Sequence, residues 1–255
     1  MSCLLIEAIP CLRDNYAYVI TREGCDDAIV VDPSEAAPLQ SVLEAKSLRL
    51  VAILATHHHG DHIGGVLDLV TQTPDARVCA HALDRGRIPA VTDVMAAPKG
   101  RFARCDRSLL AALTPLLDGL DLLAMHVPGH TRGAIAWGIG PPGHLPTDVF
   151  TGDTLFAAGC GRLFEGTAEE LFHSLAALGE LPGATRLWFG HEYTRQNLDF
   201  AKAHAPHDEA ILGRLATLAS CTTPTNVALE QATNLFLRAP DVASFAALRR
   251  AKDAS

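Results

Sequence analysis

The sequence lacks the features that would point to a nucleic-acid-binding, membrane or secreted protein. Its 255 residues carry a formal net charge of −8, which argues against a nucleic-acid partner because such a partner needs a basic face. No apolar run approaches the roughly 18 residues of a membrane span. The first residues have neither a basic segment nor a long apolar segment, as a secretion signal would. We therefore expect a soluble cytoplasmic protein with no nucleic acid and no membrane as partner.

The sequence also lacks paired cysteines. Its seven cysteines are widely scattered, and none stands in a C-x-x-C arrangement. An odd number of scattered cysteines favours reduced thiols over disulfides or a thiolate metal site. Hydrophobic residues make up 48% of the chain, which is enough for a sizeable core in one large domain or in a large and a small one.

What the sequence does contain is a dense group of histidines between Thr56 and Gly65. The residues before it, 50–55, are all apolar and read as a buried strand. In an extended segment, residues two apart point the same way, so His57 and His59 can hold one ion while His58 faces elsewhere. Asp61 and His62 follow the turn, and they suit a second position beside the first.

Three further apolar runs end in the same way. Residues 122–127 lead into a turn with His130, residues 149–151 lead into Asp153, and residues 186–189 lead into His191. Each turn has a glycine close to a residue that can bind a metal. Because loops at one end of a sheet can converge, we expect these side chains to meet those of the first loop.

The predicted cluster contains five imidazoles and two carboxylates: His57, His59, Asp61, His62, His130, Asp153 and His191. Seven ligands exceed the four of one tetrahedral zinc site, whereas two ions that share a bridging carboxylate fit the number. The donors are nitrogen and oxygen without sulfur, which suits Zn, Fe or Mn and does not distinguish them.

Local patterns predict the remaining elements. We expect strands at 3–9, 16–21 and 28–32, a turn at Arg22-Glu23-Gly24, a helix at 37–46, and a helix at 171–178 opened by a capping box at Thr167. After His191 the periodicity is helical at 208–219, 226–237 and 241–252, with no strand between. This change predicts two domains, 1–191 and 192–255, the second small and all-helical.

The motifs described so far resemble those of the metallo-β-lactamase superfamily. A narrower resemblance, to the glyoxalase II (hydroxyacylglutathione hydrolase) family, rests on Asp14-Asn15-Tyr16, on residues 159–167, on residues 234–238 and on the basic tail, 248–253. It covers essentially the whole chain. It implies an α/β (α+β) fold, an αββα sandwich, whose small helical C-terminal domain closes over a thioester site.

The resemblance also implies the function of individual residues. His57, His59 and His130 would hold one divalent ion, Asp61, His62 and His191 the other, and Asp153 would bridge them, with zinc expected first and Fe or Mn as alternatives. Asp61, His62 and Asp153 would be catalytic through a hydroxide formed from water shared by the two ions. The expected substrate-binding residues are Arg162, Phe164, Tyr193, Arg249 and Lys252.

The activity implied is hydrolysis of S-D-lactoylglutathione, a 2-hydroxyacyl thioester, to glutathione and D-lactate. This reaction is the second step of methylglyoxal detoxification. We expect the enzyme to be a monomer. One alternative is a persulfide dioxygenase with a single iron, and another is a lactonase or other hydrolase of the same superfamily. Without the resemblance, Arg249 and Lys252 would be interpreted as solvated basic residues at the C-terminal end of a helix, where positive charge interacts favourably with the helix dipole.

Overall fold

The computed structural model describes residues 4–255, which form two six-stranded sheets with helices on their outer faces. The expected strand at 3–9 is observed from residue 4, and Cys3 lies outside the described residues. The first sheet has the order β1-β2-β3-β4-β5-β6. Its strands are β1 (Leu4–Cys11), β2 (Asn15–Arg22), β3 (Cys25–Val31), β4 (Arg49–Leu54), β5 (Arg77–His81) and β6 (Asp93–Met95).

The second sheet has the order β14-β13-β10-β9-β8-β7. Its strands are β7 (Ala103–Arg104), β8 (Asp121–His126), β9 (Ile135–Gly140), β10 (Asp148–Gly152), β13 (Arg186–Phe189) and β14 (Thr225–Asn226). A separate hairpin consists of β11 (Leu155–Phe156) and β12 (Gly159–Cys160). The expected metal-binding turns therefore follow one strand of the first sheet and three of the second.

The described residues form nine α-helices. They are α1 (Ala36–Ala45), α2 (Gly60–Ile63), α3 (Val66–Gln72), α4 (Arg107–Ala112), α5 (Ala168–Gly179), α6 (Thr194–His204), α7 (Glu209–Ala216), α8 (Val227–Thr233) and α9 (Val242–Asp253). Apolar side chains of α1 and α3 pack on the first sheet, and those of α5, α8 and α9 pack on the second. The expected αββα layering is confirmed.

The main core lies between the two sheets. Residues of the first sheet such as Tyr18 and Leu54 share one cluster with Trp137 and Phe150 of the second. Among residues 4–255, no helix is long and apolar enough to cross a membrane. The sandwich thus buries the strand faces that the continuous apolar runs predicted.

The first hairpin also reaches the end of the second sheet. The backbone N–H of Tyr16 donates to the carbonyl oxygen of Gly190 at 2.8 Å, and Asn15 forms an isolated antiparallel bridge with His191. These contacts join two parts of the chain that are far apart in sequence. They bring the Asp14-Asn15-Tyr16 segment to the side of the histidine cluster.

Local capping explains several element boundaries. The capping box at the start of α5 is confirmed, because the Thr167 hydroxyl accepts from the N–H of Glu170 at 3.1 Å and the Glu170 carboxylate accepts from the N–H of Thr167 at 3.0 Å. The turn before β3 is also confirmed, with Gly24 at a φ of 77°. A positive φ of this size favours glycine, which has no Cβ to clash.

The C-terminal region is mainly helical as expected, but it differs from the prediction in several places: helix α6 was not predicted, and the predicted helix at 208–219 is observed as Glu209–Ala216. The two-residue strand β14 lies between α7 and α8 and pairs with β13, so the prediction of no strand in this region was wrong. The predicted helix at 226–237 ends early, at Thr233, because the Asn234 side-chain oxygen accepts the N–H groups of Phe236 and Leu237. Such local hydrogen bonds compete with the continuation of a helix.

Candidate metal centre

The predicted metal-binding side chains lie together in the structure. The possible ligand atoms of His57, His59, His130 and Asp153 all lie within 4.8 Å of one another. Within this group the Nε2 atom of His130 lies 3.0 Å from Nδ1 of His59 and 3.4 Å from the Asp153 carboxylate. These four residues come from the loops after β4, β8 and β10, so both sheets contribute.

A second group lies directly beside the first. Asp61, His62 and His191 also have possible ligand atoms within 4.8 Å of one another. The Nε2 atoms of His62 and His191 are 3.3 Å apart, and Nε2 of His191 lies 3.4 Å from Asp61. Asp153 contacts this group as well, at 3.2 Å from His62 and 3.4 Å from His191. Its carboxylate therefore lies between the two groups.

Hydrogen bonds from outside the cluster orient its imidazole rings. Nδ1 of His62 lies 2.8 Å from the Asp32 carboxylate, and Nδ1 of His191 lies 2.8 Å from Asp14. Nδ1 of His130 lies 2.8 Å from the carbonyl oxygen of Arg162. Each acceptor favours the tautomer with the proton on Nδ1, which leaves Nε2 free to bind a cation.

Asp32 forms a third compact group with His57 and His62. Its carboxylate already accepts from the N–H of Thr56 at 2.7 Å and from the Thr56 hydroxyl at 2.6 Å, in addition to the contact with His62. Both oxygens of the Asp32 carboxylate therefore already have hydrogen-bond partners. Its position suits orientation of a ligand better than direct binding of an ion.

The electrostatics of the cluster favour the ligand form of several groups. Burial lowers the pKa of His59 to about 4, and it lowers the pKa of His57 and of His130 as well. Burial would raise the pKa of Asp153, but the charge of His62 and hydrogen bonds from His191 and His62 outweigh it and lower that pKa. The cluster thus favours neutral imidazoles beside an ionised carboxylate.

Two of the histidines behave in the opposite way. Burial opposes the charge of His191, but hydrogen bonds to Asp153 and Asp61 outweigh it and raise its pKa to about 10. Burial likewise opposes the charge of His62, but the carboxylates of Asp153 and Asp32 outweigh burial and raise the pKa of His62 well above its usual value. In the absence of a metal, the protons on these two rings balance the negative charge of the carboxylates. A bound cation would take over that function, so metal binding should release protons.

The donor set fits divalent cations. Nε2 of His57 is buried and has no hydrogen-bond partner among the described residues. A buried polar atom without a partner is costly, and coordination of a metal would satisfy it. Five imidazoles and two carboxylates suit a borderline metal such as Zn, Fe or Mn.

A glycine makes the close packing of the cluster possible. A Cβ atom built on Gly190 would lie 2.5 Å from the Asp153 carboxylate and 2.6 Å from the His62 ring. Neither neighbour has room to retreat, because both side chains are buried among the other residues of the cluster. Glycine is therefore needed here for space, and this explains why the turn before His191 begins with it.

A cavity of about 540 Å³ opens over the cluster. Three of the expected substrate-binding residues line it from exposed or half-buried positions. The exposed Phe164 ring meets His59 and His130 edge-on, at centroid distances of 5.2 and 5.3 Å, and Tyr193 stacks on His191 at 4.8 Å. The exposed Arg162 lies 3.6 Å from Asp253. The walls thus combine aromatic faces with a cation that is open to solvent.

Arg249 and Lys252 line the same cavity but differ in their surroundings. Arg249 is only 4% exposed, and its guanidinium donates to the carbonyl oxygen of Cys160 at 2.9 Å and to Asp253 at 3.0 Å. Lys252 is half-buried, donates to the carbonyl oxygen of Gln196 at 3.1 Å, and lies with its ammonium group 5.1 Å from the centroid of the Phe200 ring. Neither residue belongs to a freely solvated helix end, but Lys252 is the more available of the two.

The sequence reasoning missed several residues of the site. Asp14 and Asp32 orient imidazole rings of the cluster, and Arg13 and Gln196 line the cavity. Asp32 directly follows strand β3 and obeys the same strand-end rule that identified Asp153, so a signal for it was present. Nothing in the local sequence distinguishes Arg13 or Gln196 from ordinary surface residues.

Comparison with known proteins gives consistent matches along the chain. Residues 12–191 match the family described as Metallo-beta-lactamase superfamily, and residues 192–255 match the family described as Hydroxyacylglutathione hydrolase C-terminus. A relative from Synechococcus sp. (strain WH7803), described as hydroxyacylglutathione hydrolase, is 42% identical over 254 residues. The match covers 97% of this chain and 94% of the relative.

Solved structures share the fold. ETHE1 from Myxococcus xanthus is 21% identical, with a TM-score of 0.66 and coverage of 98% of this chain and 90% of that one. TTHA1623 in a di-iron-bound form is 27% identical, with a TM-score of 0.59 and coverage of 89% and 98%.

Proposed function

The chain belongs to the hydroxyacylglutathione hydrolase family of the metallo-beta-lactamase superfamily, and on this premise we propose that it hydrolyses S-D-lactoylglutathione to glutathione and D-lactate. The observation that carries the proposal is Asp153, whose carboxylate lies within 3.4 Å of histidines in both groups. The persulfide dioxygenase alternative is less supported, because residues 192–255 match the hydrolase C-terminus.

We propose that the seven clustered residues hold two divalent ions. His57, His59 and His130 would hold one, Asp61, His62 and His191 the other, and Asp153 would bridge them. Zinc is our first expectation, and the di-iron form of TTHA1623 makes iron the main competitor. Bound at this place, the ions supply Lewis acidity, which activates water at neutral pH and polarises a thioester carbonyl.

The residues of the chain would then bind and orient the substrate. Asp32 and Asp14 hold the rings of His62 and His191, and Asn15 donates to the Asp61 carboxylate at 3.1 Å. Phe164 and Tyr193 present apolar faces beside the reacting thioester. Arg162 and Lys252 provide cations for the glutathione carboxylates. A thiolate leaves readily, so the reaction needs no strong acid at the sulfur.

The domain division remains part of the proposal. Residues 1–191 would form the catalytic domain and 192–255 the helical substrate-binding domain, and the meeting of the two family matches at 191 and 192 supports this. The β14 strand, which pairs with β13, links the second unit to the second sheet.

The direct test is hydrolysis of S-D-lactoylglutathione, followed at the thioester absorbance, with metal analysis of the same sample. We expect turnover by protein that holds close to two ions per chain. Protein that is fully loaded with metal but leaves the thioester intact would contradict the proposed function. Loading with one ion per chain would contradict the binuclear site.

Replacing Cys160 by alanine should leave most of the activity. Burial raises the pKa of the Cys160 thiol to about 11, so the nucleophilic thiolate is scarce at neutral pH. The sulfur also lies 3.6 Å from the Arg249 guanidinium, within the wall of the cavity. We would measure kcat for Cys160→Ala at saturating metal. Capture of a covalent acyl-enzyme on Cys160 with a slow thioester would contradict this expectation.

Replacing Lys252 by alanine should raise KM more than it lowers kcat. A charge-assisted hydrogen bond contributes roughly 1.5–3 kcal/mol, so loss of one to a remote carboxylate weakens binding by about tenfold or more. Steady-state kinetics with a glutathione thioester and with a small uncharged thioester would separate the effects. Only the first should respond, and exposed Lys202→Ala on α6 should change neither. An unaltered KM in Lys252→Ala would count against glutathione recognition at this wall.

The kinetic effect expected for Lys252→Ala is not expected for Arg249→Ala. The resemblance implied that Arg249 binds the substrate together with Lys252, yet the Arg249 guanidinium is buried against the Cys160 carbonyl and Asp253. Its removal leaves that carbonyl without its donor, so kcat and stability should fall together with binding. Lys252 is therefore the cleaner probe of glutathione recognition.

A further inference from the structure

The hairpin β11–β12 connects Asp153 to Arg162 and forms part of the cavity wall. Its turn contains Ala158, whose φ is 56°. This left-handed conformation is unfavourable for a residue with a Cβ atom, and it persists only where the surroundings hold it. The hairpin therefore depends on contacts outside itself.

Side chains from the C-terminal helices supply those contacts. The Glu230 carboxylate accepts from the N–H of Ala158 at 2.8 Å, and the Asn234 amide donates to the carbonyl oxygen of Gly159 at 2.9 Å. Asn197, on α6, donates to the carbonyl oxygen of Ala157 at 3.1 Å. The backbone of the turn is thus bonded at three consecutive residues to the region after His191.

The two central residues of this contact are completely buried. Glu230 and Asn234 are each 0% exposed, and the Asn234 amide donates to the Glu230 carboxylate at 3.0 Å. The other carboxylate oxygen accepts from Thr225 at 2.6 Å and from Arg214 at 2.8 Å. A buried carboxylate with four donors is held firmly in place, because each lost partner would leave a charge or dipole unsatisfied.

The hairpin carries groups that face the reaction. The Phe156 ring lies 5.9 Å from His191 and 5.5 Å from Tyr193. Beyond β12, the carbonyl oxygen of Arg162 accepts from Nδ1 of His130 at 2.8 Å. Movement of the hairpin would therefore alter both the cavity wall and the orientation of a metal-binding ring.

We infer that Glu230 and Asn234 are positioning residues of the hydrolase, which hold the hairpin Leu155–Cys160 in the arrangement that the reaction requires. They lie behind the cavity wall and reach the substrate only through the hairpin. The C-terminal helices thus contribute to turnover as well as to binding. This inference rests on the proposed function, since it assumes that the reaction takes place in the cavity over the cluster.

The test compares Asn234→Ala and Glu230→Gln with Gln231→Ala in the full-length, metal-loaded protein. Gln231 lies on α8 between the other two positions, and its amide donates to Gly179 of α5 at 2.8 Å, away from the hairpin. Amide hydrogen exchange of the segment 155–162 would be measured for each variant. The second measurement is kcat with S-D-lactoylglutathione and with a small uncharged thioester.

We expect exchange in 155–162 to be faster in Asn234→Ala and Glu230→Gln than in wild type. We also expect kcat to fall about tenfold with both thioesters, as when a group behind a metal ligand is lost. Gln231→Ala, which removes an exposed side chain from the same helix, should match wild type in both measurements. Equal loss of kcat with both substrates separates positioning from glutathione binding.

Unchanged exchange in 155–162 would overturn the inference, and so would faster exchange with kcat within twofold of wild type. If Asn234→Ala does not fold, Glu230→Gln carries the test, since it replaces a single carboxylate oxygen by an amide nitrogen. Failure of wild type to hydrolyse either thioester would refute the proposed function, while the exchange measurement would still report whether the two residues hold the hairpin.

Discussion

Replacing Asp153 by alanine is expected to reduce metal content at both positions and to lower kcat by about a thousandfold or more. The carboxylate contacts His130 of one group and His62 and His191 of the other, so its loss removes a ligand from each. In the proposed reaction the two ions would stabilise the transition state by several kcal/mol, and each ~1.4 kcal/mol corresponds to a factor of ten in rate. Metal analysis and thioester kinetics on the same preparation would measure the two effects.

Asp148→Ala is the matched control for this substitution. Asp148 is also buried on β10, but its carboxylate accepts from Arg186 and Trp188, away from the cluster. We expect that variant to be less stable and still to hold two ions. Retention of both ions by Asp153→Ala would contradict the bridging assignment.

Replacing Asp32 by asparagine should weaken metal binding by about 10–100-fold, as is typical for loss of a carboxylate that orients a histidine ligand. The variant keeps the shape of the side chain. An amide nitrogen in place of Oδ2, however, cannot accept the Nδ1 proton of His62, so the ring loses its favoured tautomer. Chelator competition with purified protein would give the affinity.

Asp84→Asn provides the comparison for Asp32→Asn. Asp84 is equally buried, and its carboxylate lies 3.1 Å from Nδ1 of His58, the histidine that lies outside both ligand groups. We expect metal affinity close to that of wild type in this variant. Equal losses of affinity in the two variants would indicate a general effect of buried charge rather than orientation of His62.

The sequence predicted the strand ends of the site well because they follow local rules. A buried apolar run, a nearby glycine and a polar residue identified the positions of His57, His130, Asp153 and His191. The structure brings their side chains together as expected. The contact of His58 with Asp84 also agrees with the alternation of side chains along an extended segment.

The rest of the site depends on contacts between distant parts of the chain. Asp14 and His191 are hydrogen-bonded although 177 positions separate them, and no local pattern reports such a pair. The same reason explains why the burial of Arg249 was missed. Its basic neighbours and helical periodicity suggested a surface position, whereas its packing against Cys160 depends on how the C-terminal helices meet β12.

The pairing of Asn15 with His191 has a consequence for the protein during its synthesis. The segment with His57, His59 and His62 leaves the ribosome more than a hundred residues before His191, so it lacks its partners for most of translation. Contacts between such distant residues form late, because a long loop must close first. His191 is therefore the last of the seven clustered residues to be synthesised, and the group that it forms with Asp61 and His62 is complete only after β13 has joined the second sheet.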